Sequence, residues 1–282
     1  MKENKSSRKI IEQALAEDIG SGDITTDSIV SEYSFGQARI ISKQNGILSG
    51  IYICEHVFKT VDENLEIKID HKDGDSLQSG ETVMVINGKT GSILKAERVA
   101  LNFLAHLSGV ATFTNRFVNK LGTTKTKIID TRKTTPLLRV LEKEAVVHGG
   151  GANHRMGLYD MVLIKENHIR AAGGIRRAVE QTNRFLSEMK IDAKIEVETT
   201  NLDEVHEALT CEIDRIMLDN MTIDQMKEAV GLINHQVEVE ASGGIGLEQV
   251  NDIASTGVDF ISVGAITHSA PAFDFSLLLE EK

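Results

Sequence analysis

From residue 126 onward the chain repeats one unit: a short apolar run, a polar or charged cluster, and in the later repeats a helical segment. The runs are Lys127-Ile128-Ile129, Met161 to Ile164, Ala193 to Val197, Arg215 to Leu218, Val237-Glu238-Val239 and Phe260 to Val263. Helical patterns over 202–209, 223–233 and 247–254 separate the later runs, with Asn201, Thr222 and Gly246 placed as N-caps. Strands alternating with helices at this interval make βα units, whose strands pair in parallel. The expectation is an α/β barrel with fewer than eight strands.

The first third has another texture. Ile10, Ile11, Ala14 and Leu15 fall at helical spacing over 8–17, and the turn-rich Gly20-Ser21-Gly22-Asp23 follows. Between 35 and 95 the segments 38–41, 65–69 and 82–86 are β-rich, with Asn45-Gly46, Asp73-Gly74 and Asn87-Gly88 as turn signals, which predicts a small antiparallel sheet. A helix is expected over 96–118, its apolar Val99, Leu101, Leu104 and Leu107 surrounding Arg98. With 282 residues, 41% of them hydrophobic, the chain can build two cores.

A net charge of −11 disfavours nucleic acid and anionic membranes as partners. No apolar h-region follows MKENKSSRKI and no run reaches membrane-spanning length, so the expected location is cytoplasmic. Cys54 and Cys211 lack the spacing of a zinc site or disulfide framework and read as buried free thiols.

In an α/β barrel, ligands bind at the C-terminal ends of the strands. The residues there are Asp130-Thr131-Arg132-Lys133, Lys165-Glu166-Asn167-His168, Glu198, Asp219-Asn220, Ser242-Gly243-Gly244 and Gly264-Ala265. Glycines after the last two strands let backbone N–H groups reach an oxyanion, and a following helix would add its dipole, so a phosphate site is expected there. Residues 130–170 hold seven Lys or Arg against five acids, a net +2 that leaves −13 elsewhere. Positive charge concentrated near the expected barrel mouth, with His148 and His154 as further donors, implies a polyanionic substrate.

Glu198 and Asp219 end neighbouring strands, where two carboxylates can share a divalent cation or face a sugar carrying developing positive charge. Without His or Cys companions, magnesium held mainly by substrate phosphates fits better than a transition metal. Other motifs lead nowhere. His148-Gly149-Gly150-Gly151 lacks a Gly-x-Ser-x-Gly partner, Gly88-Lys89-Thr90 has Val83 in place of the first P-loop glycine, and no Gly-x-Gly-x-x-Gly is present.

Taken in order, Glu17-Asp18-Ile19-Gly20, Gly22 to Thr26, Glu97 to Asn102, Asp130 to Thr134, His148 to Gly151, His154-Arg155, Leu163 to His168, Glu196-Val197-Glu198, Leu218-Asp219-Asn220 and Ser242 to Ile245 resemble the quinolinate phosphoribosyltransferases. The resemblance implies an N-terminal α/β sandwich over 1–110, with 268–282 packing back on it, and an open α/β barrel over 111–267. It implies formation of nicotinate mononucleotide, pyrophosphate and carbon dioxide from quinolinate and phosphoribosyl pyrophosphate. It also implies a homodimer in which Arg98 reaches the neighbouring subunit's site.

By the same resemblance, Arg132, Lys133, His154, Arg155 and Lys165 surround the quinolinate carboxylates, and Lys133 or Lys165 positions the carboxylate that is lost. Glu198 and Asp219 lie near the ribose and magnesium; Glu196 is the competing choice for the first of these acids. Ser242, Gly243, Gly244 and Gly264 bind the 5′-phosphate, and Thr131, Val263 and Ala265 complete the substrate-binding set. A phosphoribosyltransferase-like protein associated with molybdate transport shares this architecture and is the alternative enzyme. A silent barrel that senses a phosphorylated ligand is the alternative from another class.

Overall fold

The computed structural model describes residues 5–280, which form two compact units. The first comprises the chain up to Asn115, Thr135–Gly150 and the segment from Ser269 onward; the second comprises Arg116–Thr134 and Gly151–His268.

The first unit opens with helices α1 (Lys5–Ile19) and α2 (Ile24–Ile29), the latter capped by Asp23, whose side chain accepts from the Thr25 and Thr26 amides. Strand β1 (Phe35–Ser42), the two-residue β2 (Gly46–Ile47), helix α3 (Ile51–Val61), strand β3 (Glu66–Ile69), the two-residue β4 (Ser76–Leu77) and strand β5 (Thr82–Lys89) follow. The chain then enters the long helix α4 (Thr90–Lys120). The main sheet, ordered β12-β1-β5-β3, is antiparallel and ends on the last strand of the chain, β12 (Phe275–Glu280). Burial along β1 alternates, with Ala38 and Ile40 wholly buried, because successive residues of a strand face opposite sides.

One expectation changes here. Asn87-Gly88 is not a turn: β5 runs through it, and Asn87 accepts from the Gln37 side chain across the sheet. Gly88, at φ +152°, is required because Leu65 Cδ2 would lie 2.5 Å from a Cβ there. Residues 135–150, with helix α5 (Arg139–His148), belong to the first unit. Glu142, fully buried, holds His106 at 2.8 Å and accepts from the Thr135 amide, while Ser49 Oγ meets His148 Nδ1 at 2.8 Å.

The second unit is built on a six-stranded parallel sheet, β6 (Lys127–Ile129), β7 (Val162–Ile164), β8 (Ile195–Thr199), β9 (Arg215–Asp219), β10 (Glu238–Ser242) and β11 (Phe260–Ser262). Their order, β6-β11-β10-β9-β8-β7, leaves β6 and β7, the first two of these strands along the chain, at the two edges of the sheet. Between them run α6 (Glu166–Ala172), α7 (Ile175–Met189), α8 (Leu202–Leu209), α9 (Ile223–Ile233) and a 3-10 turn (Leu247–Gln249) continuing into α10 (Val250–Ala254), and α11 (Ala265–His268) follows β11. Asn201 and Thr222 cap α8 and α9 by accepting the Glu204 and Gln225 amides.

One row of strand residues, including Val197, Ile216, Leu218, Val239, Ala241 and Ile261, is buried, as are Val205, Met226, Ile233, Val250 and Ile253 of the helices. Burying each large side chain contributes roughly 1.5–3 kcal/mol, enough in sum to hold helices to sheet. The alternate row carries the site. No helix among the described residues is long and apolar enough to cross a membrane. Cys54 is buried in an apolar setting that pushes its thiol up, whereas Cys211 is only half-buried and lies 3.5 Å from the Glu207 carbonyl.

Candidate active site

Parallel pairing sets the register of the alternate row. Glu196 pairs with Arg215 and Arg215 with Glu238; Glu198 pairs with Met217, Met217 with Glu240, and Glu240 with Phe260. One step nearer the strand ends, Asp219 pairs with Ser242. Paired residues of a parallel ladder share a face, so one side of the sheet carries a charged layer beneath a layer of functional strand-end groups.

In the lower layer Arg215 donates through Nε and Nη2 to Glu238 Oε2 at 3.2 and 3.0 Å, and through Nη1 to Glu240 Oε2 at 3.2 Å. Its guanidinium lies 4.1 Å over the Phe260 ring. His154 Nε2 approaches Glu196 Oε2 at 3.1 Å and Glu240 Oε2 at 3.4 Å. Glu196 and Glu240 are both 0% exposed. Burial pushes Glu196 up to about 6 against the pull of Arg215, and pushes Glu240 up to about 8, with the Glu196 carboxylate adding to the rise. Burial alone would depress Arg215, but Glu196, Glu238 and Glu240 outweigh it and hold the guanidinium above its ordinary value.

The upper layer contains the residues expected from the strand ends. Lys165 Nζ meets Glu198 Oε2 at 3.1 Å, and the Glu166 amide points to Glu198 Oε1 at 3.4 Å, so Glu198 is tied to the start of α6. The Lys165 amide is held by His168 Nδ1 at 2.9 Å. Asp219 accepts from the Asn220 side chain at 2.8 Å. Glu198, half-buried beside Lys165, is the strand-end acid; Glu196 belongs to the buried layer.

The Lys133 backbone is fixed on both sides, its amide by Thr131 Oγ1 at 3.0 Å and its carbonyl by Thr267 Oγ1 at 2.8 Å. Its stem passes the last glycine turn, where a Cβ on Gly264 would lie 3.1 Å from Lys133 Cδ and 3.3 Å from His268 Nε2. The preceding Val263 is buried and contributes through backbone, its amide donating to the Ile129 carbonyl, and Ala265 begins α11. Arg132 is exposed, while Arg155 is half-buried and donates to the Met161 carbonyl at 3.0 Å. Burial and then the Arg132 charge hold Arg155 below its ordinary value, so two guanidinium groups share one field.

The turn after β10 requires its glycines. Gly243 takes φ +105° and Gly244 φ +58°, and a Cβ on Gly243 would fall 2.3 Å from Asn220 Oδ1 and 2.8 Å from Asn220 N. The turn leads into a three-residue 3-10 helix rather than a long α-helix, so loop amides, not a macrodipole, are the anion donors this turn can offer.

The expected groups do not all lie in one compact unit. Arg139 and Lys143 lie on α5 in the other unit, and Lys143 is fully buried, so the basic segment divides between two units. Arg98 is exposed on α4, also in the first unit. His154 is nearly buried, with Nδ1 accepting from the Arg155 amide at 2.6 Å. The sequence reading missed Arg215, Glu238, Glu240 and His268. The first three had a signal: parallel strands are normally near-continuous apolar runs, and the alternating charges Glu196/Glu198 of β8 and Glu238/Glu240 of β10, which flank Arg215 of β9, depart from that pattern.

Fold and strand ends together define a class: an α/β enzyme whose parallel sheet gathers cations, acids and glycine turns at the C-terminal ends of its strands. The description "Quinolinate phosphoribosyl transferase, N-terminal domain" matches residues 23–108, and its C-terminal counterpart matches residues 110–278. The chain belongs to the quinolinate phosphoribosyltransferase family.

Its relatives include a decarboxylating quinolinate phosphoribosyltransferase of Nicotiana tabacum, 42% identical over 96% of this chain and 81% of that protein. A probable carboxylating nicotinate-nucleotide pyrophosphorylase of Synechocystis is 44% identical over 95% of this chain and 90% of its own. Among solved structures, the nicotinate-nucleotide pyrophosphorylase of Francisella tularensis superposes with a TM-score of 0.94 at 41% identity, covering 99% of this chain and 98% of that one.

Proposed function

We propose that this chain transfers the phosphoribosyl group of phosphoribosyl pyrophosphate to the ring nitrogen of quinolinate, releasing pyrophosphate and carbon dioxide and leaving nicotinate mononucleotide. The observation that carries the reading is the gathering of Lys165 with Glu198 and of Lys133 with the Gly264 turn, on a sheet whose relatives bear that name.

Arg132 and Arg155 suit the two quinolinate carboxylates, since a guanidinium fork binds a carboxylate in two parallel hydrogen bonds. Ser242, Gly243, Gly244 and the Gly264 turn take the 5′-phosphate, with Val263 and Ala265 supplying backbone beside it. Glu198 and Asp219 face the ribose, where their charge favours the cationic character that builds at the anomeric carbon as pyrophosphate leaves. Oxygen donors of this kind fit magnesium, which, held mainly by the substrate's phosphates near these two acids, neutralises the leaving group when bound. The protein adds position and fixed charge rather than a nucleophile. After ribosylation the cationic ring nitrogen stabilises the electron pair left on the adjacent carbon as the 2-carboxylate departs as carbon dioxide, its orientation set by Lys133 or Lys165, and a proton from water then takes the place of the lost group on that carbon.

The test is to mix the protein with quinolinate, phosphoribosyl pyrophosphate and magnesium and to quantify both small products. Equal release of pyrophosphate and carbon dioxide is expected. Release of neither, from folded protein, would move the reading to the molybdate-associated relative or to a ligand sensor.

The working form is a homodimer in which Arg98 enters the site of the second copy, a reading supported by its exposure on α4. Arg98→Ala and Lys133→Ala proteins should each be nearly inactive. Unfolded together and refolded, they should regain about a quarter of wild-type activity, because half the dimers then hold one intact site. No regain would place Arg98 in its own subunit's site or outside any site.

A further inference from the structure

Beneath the strand ends, an unbroken set of contacts links the buried acids to a cation the proposed reaction uses. Arg215 anchors Glu240 at 3.2 Å; Glu240 and Glu196 both face His154 Nε2, at 3.4 and 3.1 Å. On the other side of the ring, Nδ1 accepts the Arg155 amide at 2.6 Å. The Arg155 side chain is then steadied by the Met161 carbonyl at 3.0 Å. The His154 amide itself donates to Asp130 Oδ1 at 2.9 Å, an acid that is 0% exposed.

An imidazole nitrogen that accepts an amide N–H carries no proton, so the remaining ring proton of neutral His154 resides on Nε2 and faces the acids. One histidine and two carboxylates with ligand atoms within 4.8 Å of one another could also suit a cation. Here the Arg215 guanidinium already supplies positive charge to that layer.

We propose that Glu196, backed by Glu240 and Arg215, is a positioning residue for quinolinate binding: its carboxylate, 3.1 Å from His154 Nε2, draws the ring proton to that nitrogen, fixes the ring's tautomer, and through Nδ1 locks the Arg155 backbone beside Arg132. The inference rests on the proposed function for the role of Arg155, but the tautomer itself does not depend on that role. Glu196 touches no reacting atom in this account. Its effect should therefore fall on one substrate more than on the other. A general structural role would not discriminate between them.

The test compares Glu196→Ala and Glu196→Gln in the full-length protein. Long-range ¹⁵N correlation spectra of His154, assigned with a His154→Gln control, should show the Nε2–H tautomer in wild type and a mixture in Glu196→Ala. In the same variant the KM for quinolinate should rise about tenfold while that for phosphoribosyl pyrophosphate changes less than about twofold. Glu196→Gln keeps a carbonyl acceptor and should recover most of both properties.

A wild-type tautomer in Glu196→Ala, or equal change of both KM values, would overturn the proposal. If quinolinate is not the substrate, the tautomer still shifts and only the kinetic arm is lost, which separates the two failures. Should Glu196→Ala not fold, Glu240→Gln serves in its place. It leaves Glu196 alone to accept the Nε2 proton, so the wild-type tautomer is expected, and loss of that tautomer would overturn the assignment to Glu196.

Discussion

Lys133→Ala is expected to fold normally and to lose about two to three orders of magnitude in kcat/KM, the usual scale for removing one preorganised charged donor from a transition state. The argument begins with how the backbone is held. Thr131 and Thr267 fix the Lys133 amide and carbonyl, so truncating the side chain leaves both contacts in place. The side chain is exposed, so its removal opens no cavity in the core. What disappears is a compact positive charge carried past the Gly264 turn.

The way the loss divides is informative. A rise in the phosphoribosyl pyrophosphate KM would place the ammonium on the phosphate. A fall in kcat with carbon dioxide release lagging behind pyrophosphate release would place it on the departing carboxylate. Lys133→Arg should recover only part of the loss, because a planar fork cannot occupy the place of a point charge beside Gly264. Wild-type turnover in Lys133→Ala would remove this residue from the mechanism.

The barrel strands were legible because the row facing the helices is apolar and recurs at a fixed interval. Helices α8 and α9 were legible because cap and apolar stripe agreed, and the structure places Asn201 and Thr222 where the caps were expected. The strand-end residues followed from one general rule about where barrels bind ligands. Other elements were hidden for physical reasons. The core-facing side of α5 includes Glu142 and Lys143, so the burial that draws this helix into the first unit has no hydrophobic signature. At Asn87-Gly88 a turn dipeptide sits inside a strand because Leu65 needs the space a side chain would occupy. By contrast α7, with Ile175, Ala178, Val179 and Leu186 buried at helical spacing, carried a readable stripe that went unread.

The charged layer under the site was hidden in a different way. Glu196, Arg215, Glu238 and Glu240 each look like a solvated strand residue when taken alone. Only the pairing of Glu196 with Arg215 and of Arg215 with Glu238 makes them one network, and register between strands some twenty residues apart is not written in any single segment.

That network underlies the largest expected change in stability. Arg215→Met should destabilise the protein by about 3–5 kcal/mol near pH 8, since removing one partner of a buried ionic cluster leaves the others uncompensated. Methionine fills much of the volume and keeps contact with Phe260, so a deficit of that size reports charge rather than packing. The pH dependence has a definite sign. Glu240 already titrates above an unfolded glutamic acid, at about 8 because of burial, and loss of Arg215 removes a favourable charge and moves it higher. A carboxyl whose folded value is raised favours the folded state while protonated, and that contribution is lost as pH rises from the unfolded value through the folded one. The variant should therefore lie close to wild type near pH 5.5 and fall progressively below it up to pH 9. For a chain of this size each kcal/mol corresponds to roughly 2–4 °C in Tm. Thermal unfolding at several pH values measures the gap directly. A gap that stays constant with pH would mean that Arg215 acts by packing, and that the acids around it keep their protonation without it.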